Sequence, residues 1–236
     1  MSSLSPSLPR AAPAAPPRQR RKEARPQELL RAALELFVEK GFSATRSEEV
    51  AARAGVSKGT LYLYFPSKEE LFKAVVRNNI ASLIADGQQI ADRFDGPSTE
   101  LLRLLMNKWW QRVGDTAAGG IFKIVFAEVR NFPELAQFYT DEVIQPAHRL
   151  VAGMLQRGID RGEFRPVPVA EATHALIAPL LFQALHRHSV GACRVMGPDM
   201  SPTRQLDTQF DLMLHGLMAH RAGAAHPPAP ARRAAS

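Results

Sequence analysis

The segment TRSEEVAARAGVSKGTLYLYF, residues 45–65, constrains this chain more than any other. Its apolar residues fall at helical spacing on either side of one glycine. Val50, Ala51 and Ala54 form the inward face of a short helix, and Leu61 and Phe65 that of another. Gly55 stands where the chain must turn with positive φ, a conformation open at little cost only to glycine. Thr45-Arg-Ser-Glu48 reads as a capping box opening the first of these helices. Ser57 caps the second, with Val56 and Leu61 placed as a hydrophobic staple. Ser57, Lys58, Gly59, Thr60, Tyr62, Leu63 and Tyr64 are left on its outer face. This pattern is that of a helix-turn-helix, whose second helix enters the DNA major groove with its N-terminal residues against base edges. Read singly, each feature also suits a plain helical subdomain; the caps, turn and polar face agree with one another.

Elsewhere a period of 3.6 dominates and strand-like alternation is almost absent, which makes the fold class all-α. Helix 1 is expected to open at Pro26, a favoured first helical position, and to stop at Gly41. Ser67-Lys-Glu-Glu70 caps a long helix 4 ending near Asp95-Gly96-Pro97, roughly 40 Å at 1.5 Å per residue. Helices 5 (about 98–113) and 6 (about 117–131) are apolar nearly all round. Helix 7 runs from Pro133 to Gly162 with an interruption at Pro146. Helix 8 covers about 168–189 with Pro179 inside it, and Ser201-Pro202 opens helix 9.

Charge is concentrated at the ends. The chain has 236 residues and a formal net charge of +7. Residues 1–25 carry a net +5 and residues 221–236 a net +3, so residues 26–220 come to −1. A pI of about 10.0 therefore belongs to two tails and is no evidence of a nucleic-acid partner. Both tails, 1–25 and 222–236, lack large apolar side chains and are expected to be disordered. The first is a cationic arm carrying Arg18, Arg20, Arg21, Lys22 and Arg25. One cysteine, Cys193, excludes an internal disulfide and a Cys-based zinc site. No apolar run approaches the roughly 20 residues that span a bilayer, so no membrane partner and a reducing cytoplasm are expected.

AARAGVSKGTLYLYFPSKEELF, residues 51–72, resembles the helix-turn-helix signature of TetR-type transcriptional regulators, and LLRAALELFVEKGFSATRSEEVA resembles their helix 1 and the start of helix 2. Beyond residue 75 the match is one of architecture. The resemblance implies a nine-helix protein, with a DNA-binding domain at 26–75 and a ligand-binding and dimerisation domain at 76–221. By position it implies DNA contacts at Thr45, Arg46, Ser57, Lys58, Gly59, Thr60, Tyr62, Tyr64 and Lys68. Lys58, Gly59 and Thr60 open the reading helix, while Lys68 sits at a helix N-terminus that favours an anion. Arg46 either meets a phosphate or pairs with Glu49, and Tyr62 either meets DNA or packs on helix 1.

The family's ligand pocket falls among Met106, Trp109, Trp110, Phe122, Phe126, Met154 and Phe182, with Tyr139, His174 and Gln183 as polar groups. By their composition most of these residues read as ordinary core, and a cavity is what the resemblance implies. His186 and His188 are two apart and do not face one another on a helix, so no metal is expected, nor any cofactor. No phosphate-binding glycine loop, G-x-S-x-G or H-E-x-x-H occurs, and no enzyme is expected. The leading function is a homodimeric repressor released from a palindromic operator by a small, largely apolar ligand. An activator or constitutive regulator, an all-α enzyme or lipid carrier, and a scaffolding dimer are the alternatives. Dimerisation is expected through helices 8 and 9, with Leu206, Phe210, Met213 and Leu217 against Ala175, Ala178 and Phe182. Regulation is expected to pass through helix 4, the one long continuous link between the domains.

Overall fold

The computed structural model describes residues 17–193 and 201–218. The expectations for residues 1–16 and for the 222–236 tail, and any role of the Cys193 side chain, lie outside the described residues. Among the described residues the fold is all-α, with nine helices and no strand. They are α1 (Pro17–Lys40), α2 (Ser47–Arg53), α3 (Lys58–Tyr64), α4 (68–93), α5 (98–114), α6 (117–131), α7 (133–160), α8 (Val169–Arg187) and α9 (Pro202–Leu217).

The start of helix 1 is a correction. α1 opens at Pro17, nine residues before the expected Pro26, which lies inside it. Pro17 takes the first helical position, and the Arg, Gln, Lys, Glu and Ala that follow are good helix formers. Residues 17–25, expected as part of a disordered arm, are therefore helical. At the other end Gly41, φ +87°, terminates α1 as expected.

Three helices contain a turn of π-helix: α4 at Arg77–Ala81 and α7 at Thr140–Ile144, both of which continue beyond it, and α5, which ends in one at Trp110–Gly114. The cause is clearest in α7. Pro146 has no N–H to give the carbonyl four residues back, and the preceding turn widens, with Gln145 N–H donating to the Thr140 carbonyl. Pro146 thus changes the hydrogen-bond register and leaves the helix continuous.

One apolar core crosses the expected boundary at residue 75. Leu29, Phe37, Leu61 and Phe72 of the first four helices and Phe42 of the α1–α2 turn join Ile121, Phe122, Leu135, Phe138 and Ala184 in a single buried cluster. Phe42 meets Phe37, Phe72 and Phe132 at centroid distances of 5.6, 5.3 and 4.9 Å. A second cluster joins Leu101, Met154, Leu155, Phe164 and Leu176 to Phe210 and Leu217 of α9. α5 and α6 are less enclosed than their composition suggests: each leaves one face to solvent, with Leu104 and Phe126 exposed.

Candidate nucleic-acid interface

α2 and α3 meet through a turn in which Gly55 has φ +66°. Its N–H donates to the Ala52 carbonyl at 3.1 Å, and that of Val56 to the Ala51 carbonyl at 2.9 Å, which closes the end of α2. Val50, Ala51 and Leu61 are buried between the two helices. Ser57 Oγ accepts the Thr60 N–H at 3.1 Å and lies 2.9 Å from Thr60 Oγ1, so the first turn of α3 is fixed before any partner arrives. Lys58, Gly59, Tyr62 and Leu63 face solvent, and Leu63 is 84% exposed. Tyr64 is half-buried against the core, which makes it the packing tyrosine, while Tyr62 stands on the outer face.

The capping box of α2 sits one residue later than expected. Arg46 is the N-cap and its N–H donates to Glu49 Oε2 at 3.2 Å. Thr45 is a correction to the DNA-contact set. It is buried, and its hydroxyl turns inward to the carbonyls of Gly41, 2.7 Å away, and Leu36, 3.2 Å away. The Arg46 side chain is exposed and makes no ion pair among the described residues, because Glu49 is held by Lys40 at 2.6 Å.

Lys68 is the second correction. Its ammonium has three donors, and they reach the carbonyls of Phe42, Ser43 and Thr45 at 2.9, 3.2 and 3.2 Å, with the charge 4.6 Å from the Phe42 ring. No donor is left for a phosphate. Lys68 instead holds the turn between α1 and α2 by its carbonyls.

Glu128, at the end of the regular part of α6, holds the same turn by its amides. Oε1 accepts the Phe42 N–H at 2.8 Å, and Oε2 accepts the Ser43 N–H at 2.7 Å together with the Ser43 hydroxyl. A Cβ on Gly41 would lie 2.5 Å from Oε1, so glycine there serves both the positive φ and this approach. Burial works to raise the Glu128 carboxyl pKa, but the hydrogen bonds from Ser43 and Phe42 and the Lys68 charge hold it below its ordinary value. Lys123 adds a contact to the Val38 carbonyl at 3.3 Å. Sequence reasoning missed Glu128, which lies 86 residues from Phe42 and carries no local signal.

Residues 26–75 carry seven basic and seven acidic side chains. Lys40 pairs with Glu49, Arg53 with Glu39, Lys73 with Glu70, and Lys58 with Glu48. The last pair lies on the outer face, with the Lys58 ammonium also 5.7 Å from the Tyr62 ring.

Of the residues expected around a ligand, Met106, Trp109, Trp110 and Phe122 are neighbours, and the others do not join them in one pocket. Phe126 and Phe182 are 65% and 68% exposed and His174 also faces solvent, which removes them from any internal pocket. Gln183 is half-buried. Trp109 lies beside Phe122 at 5.8 Å, Trp110 packs with Leu180 and Leu206, and Met154 belongs to the cluster on the far side. A pocket between Met106, Leu180, Leu206 and Phe210 encloses about 10 Å³, room for one water. Tyr139 is different: it is 5% exposed, and its hydroxyl has no hydrogen-bond partner among the described residues. Burial pushes its pKa up.

The residues expected at a dimer surface are divided between the core and the outside. Leu206, Phe210 and Leu217 are buried at 8%, 3% and 7% exposure inside their own chain, and Met213 is half-buried beside them. Helical periodicity requires a buried face but does not say which element covers it; here α5, α7 and α8 do. Ala175, Ala178 and Phe182 remain exposed on α8. Among the described residues, no helix is long and apolar enough to cross a membrane.

A helix-turn-helix with a prearranged, solvent-facing reading helix on a larger helical body defines a DNA-binding transcription regulator. The chain belongs to the TetR family. The model for "Bacterial regulatory proteins, tetR family" matches residues 29–75, and that for "Tetracyclin repressor-like, C-terminal domain" matches residues 95–192. The chain is 31% identical over 152 residues to the HTH-type transcriptional regulator YfiR of Bacillus subtilis, covering 62% of this chain and 71% of YfiR. It is 30% identical over 143 residues to the HTH-type transcriptional repressor KstR2 of Mycolicibacterium smegmatis, covering 60% and 68%. The fold is similar to that of the transcriptional regulator FadR of Bacillus subtilis in complex with stearoyl-CoA. There the TM-score is 0.66 at 20% identity, over 80% of this chain and 98% of that one.

Proposed function

We propose that the protein is a homodimeric repressor that binds a palindromic operator through α3 and leaves it when an apolar ligand enters the C-terminal domain. The observation that carries regulation is the grip of Glu128 on Phe42 and Ser43. It ties a helix of the C-terminal domain to the turn that opens α2, so a shift of α6 reaches the reading unit directly. α4 is then not the sole link: this carboxylate, the Lys123 contact to Val38 and the shared apolar core join the two parts as well.

Two further observations support the reading. Ala175, Ala178 and Phe182 give α8 a small-residue and aromatic face of the kind a second copy covers. The Tyr139 hydroxyl is a donor in an apolar cluster with no partner among the described residues, and leaving such a group unmet costs about 1–3 kcal/mol. A ligand with an acceptor beside a long apolar body meets that need. The FadR structure contains stearoyl-CoA, so long-chain acyl thioesters are the first compounds to assay. A ligand shifts the equilibrium only by its different affinity for the two arrangements.

The test is selection of bound sequences from random DNA, followed by release of the selected site with acyl-CoAs of graded length. Enrichment of an inverted repeat and release by one chain-length class supports the proposal. Enrichment without release by any apolar effector would leave a constitutive regulator, and no enrichment would remove the DNA-binding function.

A further inference from the structure

We infer that Glu48 is a specificity-determining residue: paired with Lys58, it makes the head of the reading helix favour neutral base acceptors over phosphate. This rests on the reading of α3 as the DNA-reading helix.

The pair joins the first turn of α2 to the first turn of α3, where Glu48 and Lys58 are each 55% exposed. The Glu48 carboxyl is held below its ordinary pKa first by its hydrogen bond from Lys58, and the Lys58 ammonium above its own first by the same bond. Lys58 is therefore not an isolated cation waiting for DNA. Its ammonium has three donors, so it can keep Glu48 with one and offer two to a further acceptor.

What that acceptor is decides the outcome. Guanine presents O6 and N7 side by side in the major groove, both uncharged. A phosphate oxygen competes for the same ammonium but brings a negative charge within a few ångströms of the Glu48 carboxylate. Like charges at such distances repel by about 1 kcal/mol or more in water and more strongly at a protein surface. The guanine contact avoids that repulsion, and the phosphate contact does not.

The surroundings make this discrimination consequential. Non-specific affinity comes almost entirely from phosphate neutralisation, and residues 26–75 have as many acidic as basic side chains. Most of those cations are held in ion pairs within the domain, and Lys68 is held by backbone carbonyls. Arg31 and Arg46 are the two basic side chains of this segment with no such partner among the described residues. A domain so balanced binds random phosphates weakly, and Glu48 keeps the one cation at the head of α3 from doing so.

The experiment compares wild type, Glu48→Gln, Lys58→Ala and the double variant on the sequence that wild type selects and on random duplex DNA, across a salt series. Glu48→Gln is expected to raise affinity for random DNA about fivefold, the scale of one exposed charge contact. Its salt slope on random DNA should steepen by about 0.9, and the ratio of selected to random affinity should fall. In the Lys58→Ala background the substitution should no longer steepen the slope. An unchanged ratio in Glu48→Gln overturns the inference. So does a loss confined to the selected site, which would mean that Glu48 itself reads a base. If wild type selects no sequence, the reading of α3 fails first and this inference with it; if wild type selects a site and Glu48→Gln behaves as wild type, this inference alone fails.

Discussion

Two basic side chains that look alike in the sequence stand in opposite surroundings. Arg46 and Lys68 both lie at helix starts, and both were natural candidates for phosphate. The Lys68 ammonium is used up on three carbonyls, whereas the Arg46 guanidinium is exposed and makes no ion pair among the described residues. Lys68→Ala is therefore expected to lower unfolding free energy by about 2 kcal/mol, since several charge-assisted bonds are lost and carbonyls are left unmet. Urea titration measures this, and the salt slope of DNA binding should stay as in wild type. Arg46→Ala should do the reverse, leaving stability within about 0.5 kcal/mol and flattening the salt slope by about 0.9. Glu128 adds a pH signature. Its folded-state pKa is lowered, so its contribution to stability is present above the ordinary carboxylate value of about 4.3 and is lost as pH falls through the lowered one. The stability gap between wild type and Glu128→Gln should thus be full at neutral pH and close in acid. A gap that widened on acidification would contradict the hydrogen bonding described.

At the level of elements, the sequence was most legible where the determining contacts are local. Ser57 and Ser67 cap α3 and α4 through N–H groups three residues on, and Gly41 and Gly55 turn with positive φ; each follows from a few consecutive residues. The capping box of α2 was displaced by one residue, because Thr45 found two carbonyls of α1 that no local pattern reveals. α9 shows the limit most clearly. Its apolar stripe was legible, but Leu206, Phe210 and Leu217 face the chain's own core, and periodicity alone is silent on whether a stripe meets self or partner. Phe210→Asp should unfold or strongly destabilise the protein, by about 3 kcal/mol or more for a charge in a packed core. Phe182→Asp should leave each chain folded and shift it to monomer, as light scattering at low micromolar concentration would read. A Phe182→Asp protein that stayed dimeric would move the interface away from that face of α8. α1 shows another limit: Pro26 suits a first helical position, but the helix formers ahead of it carry the helix back to Pro17. Deleting residues 1–25 removes a net +5 and should weaken selected and random DNA by a similar factor.

Across the whole molecule, the DNA-binding unit and the body share one core and one set of polar contacts, which the boundary drawn at residue 75 did not anticipate. α6 reaches the α1–α2 turn through Glu128, and Phe132 stacks its edge on Phe42 from the same side. The proposed control of DNA affinity runs along that contact. Everything else in the account depends on α3 reading DNA as half of a two-fold pair. The most direct measurement is hydroxyl-radical footprinting of wild-type protein on the sequence it selects from random DNA. Two related half-sites in inverted orientation, spaced by whole helical turns, are expected, with protection lost in a protein carrying Lys58→Ala and Tyr62→Ala together. Failure to enrich any sequence, or an undiminished footprint from that double variant, would contradict that expectation.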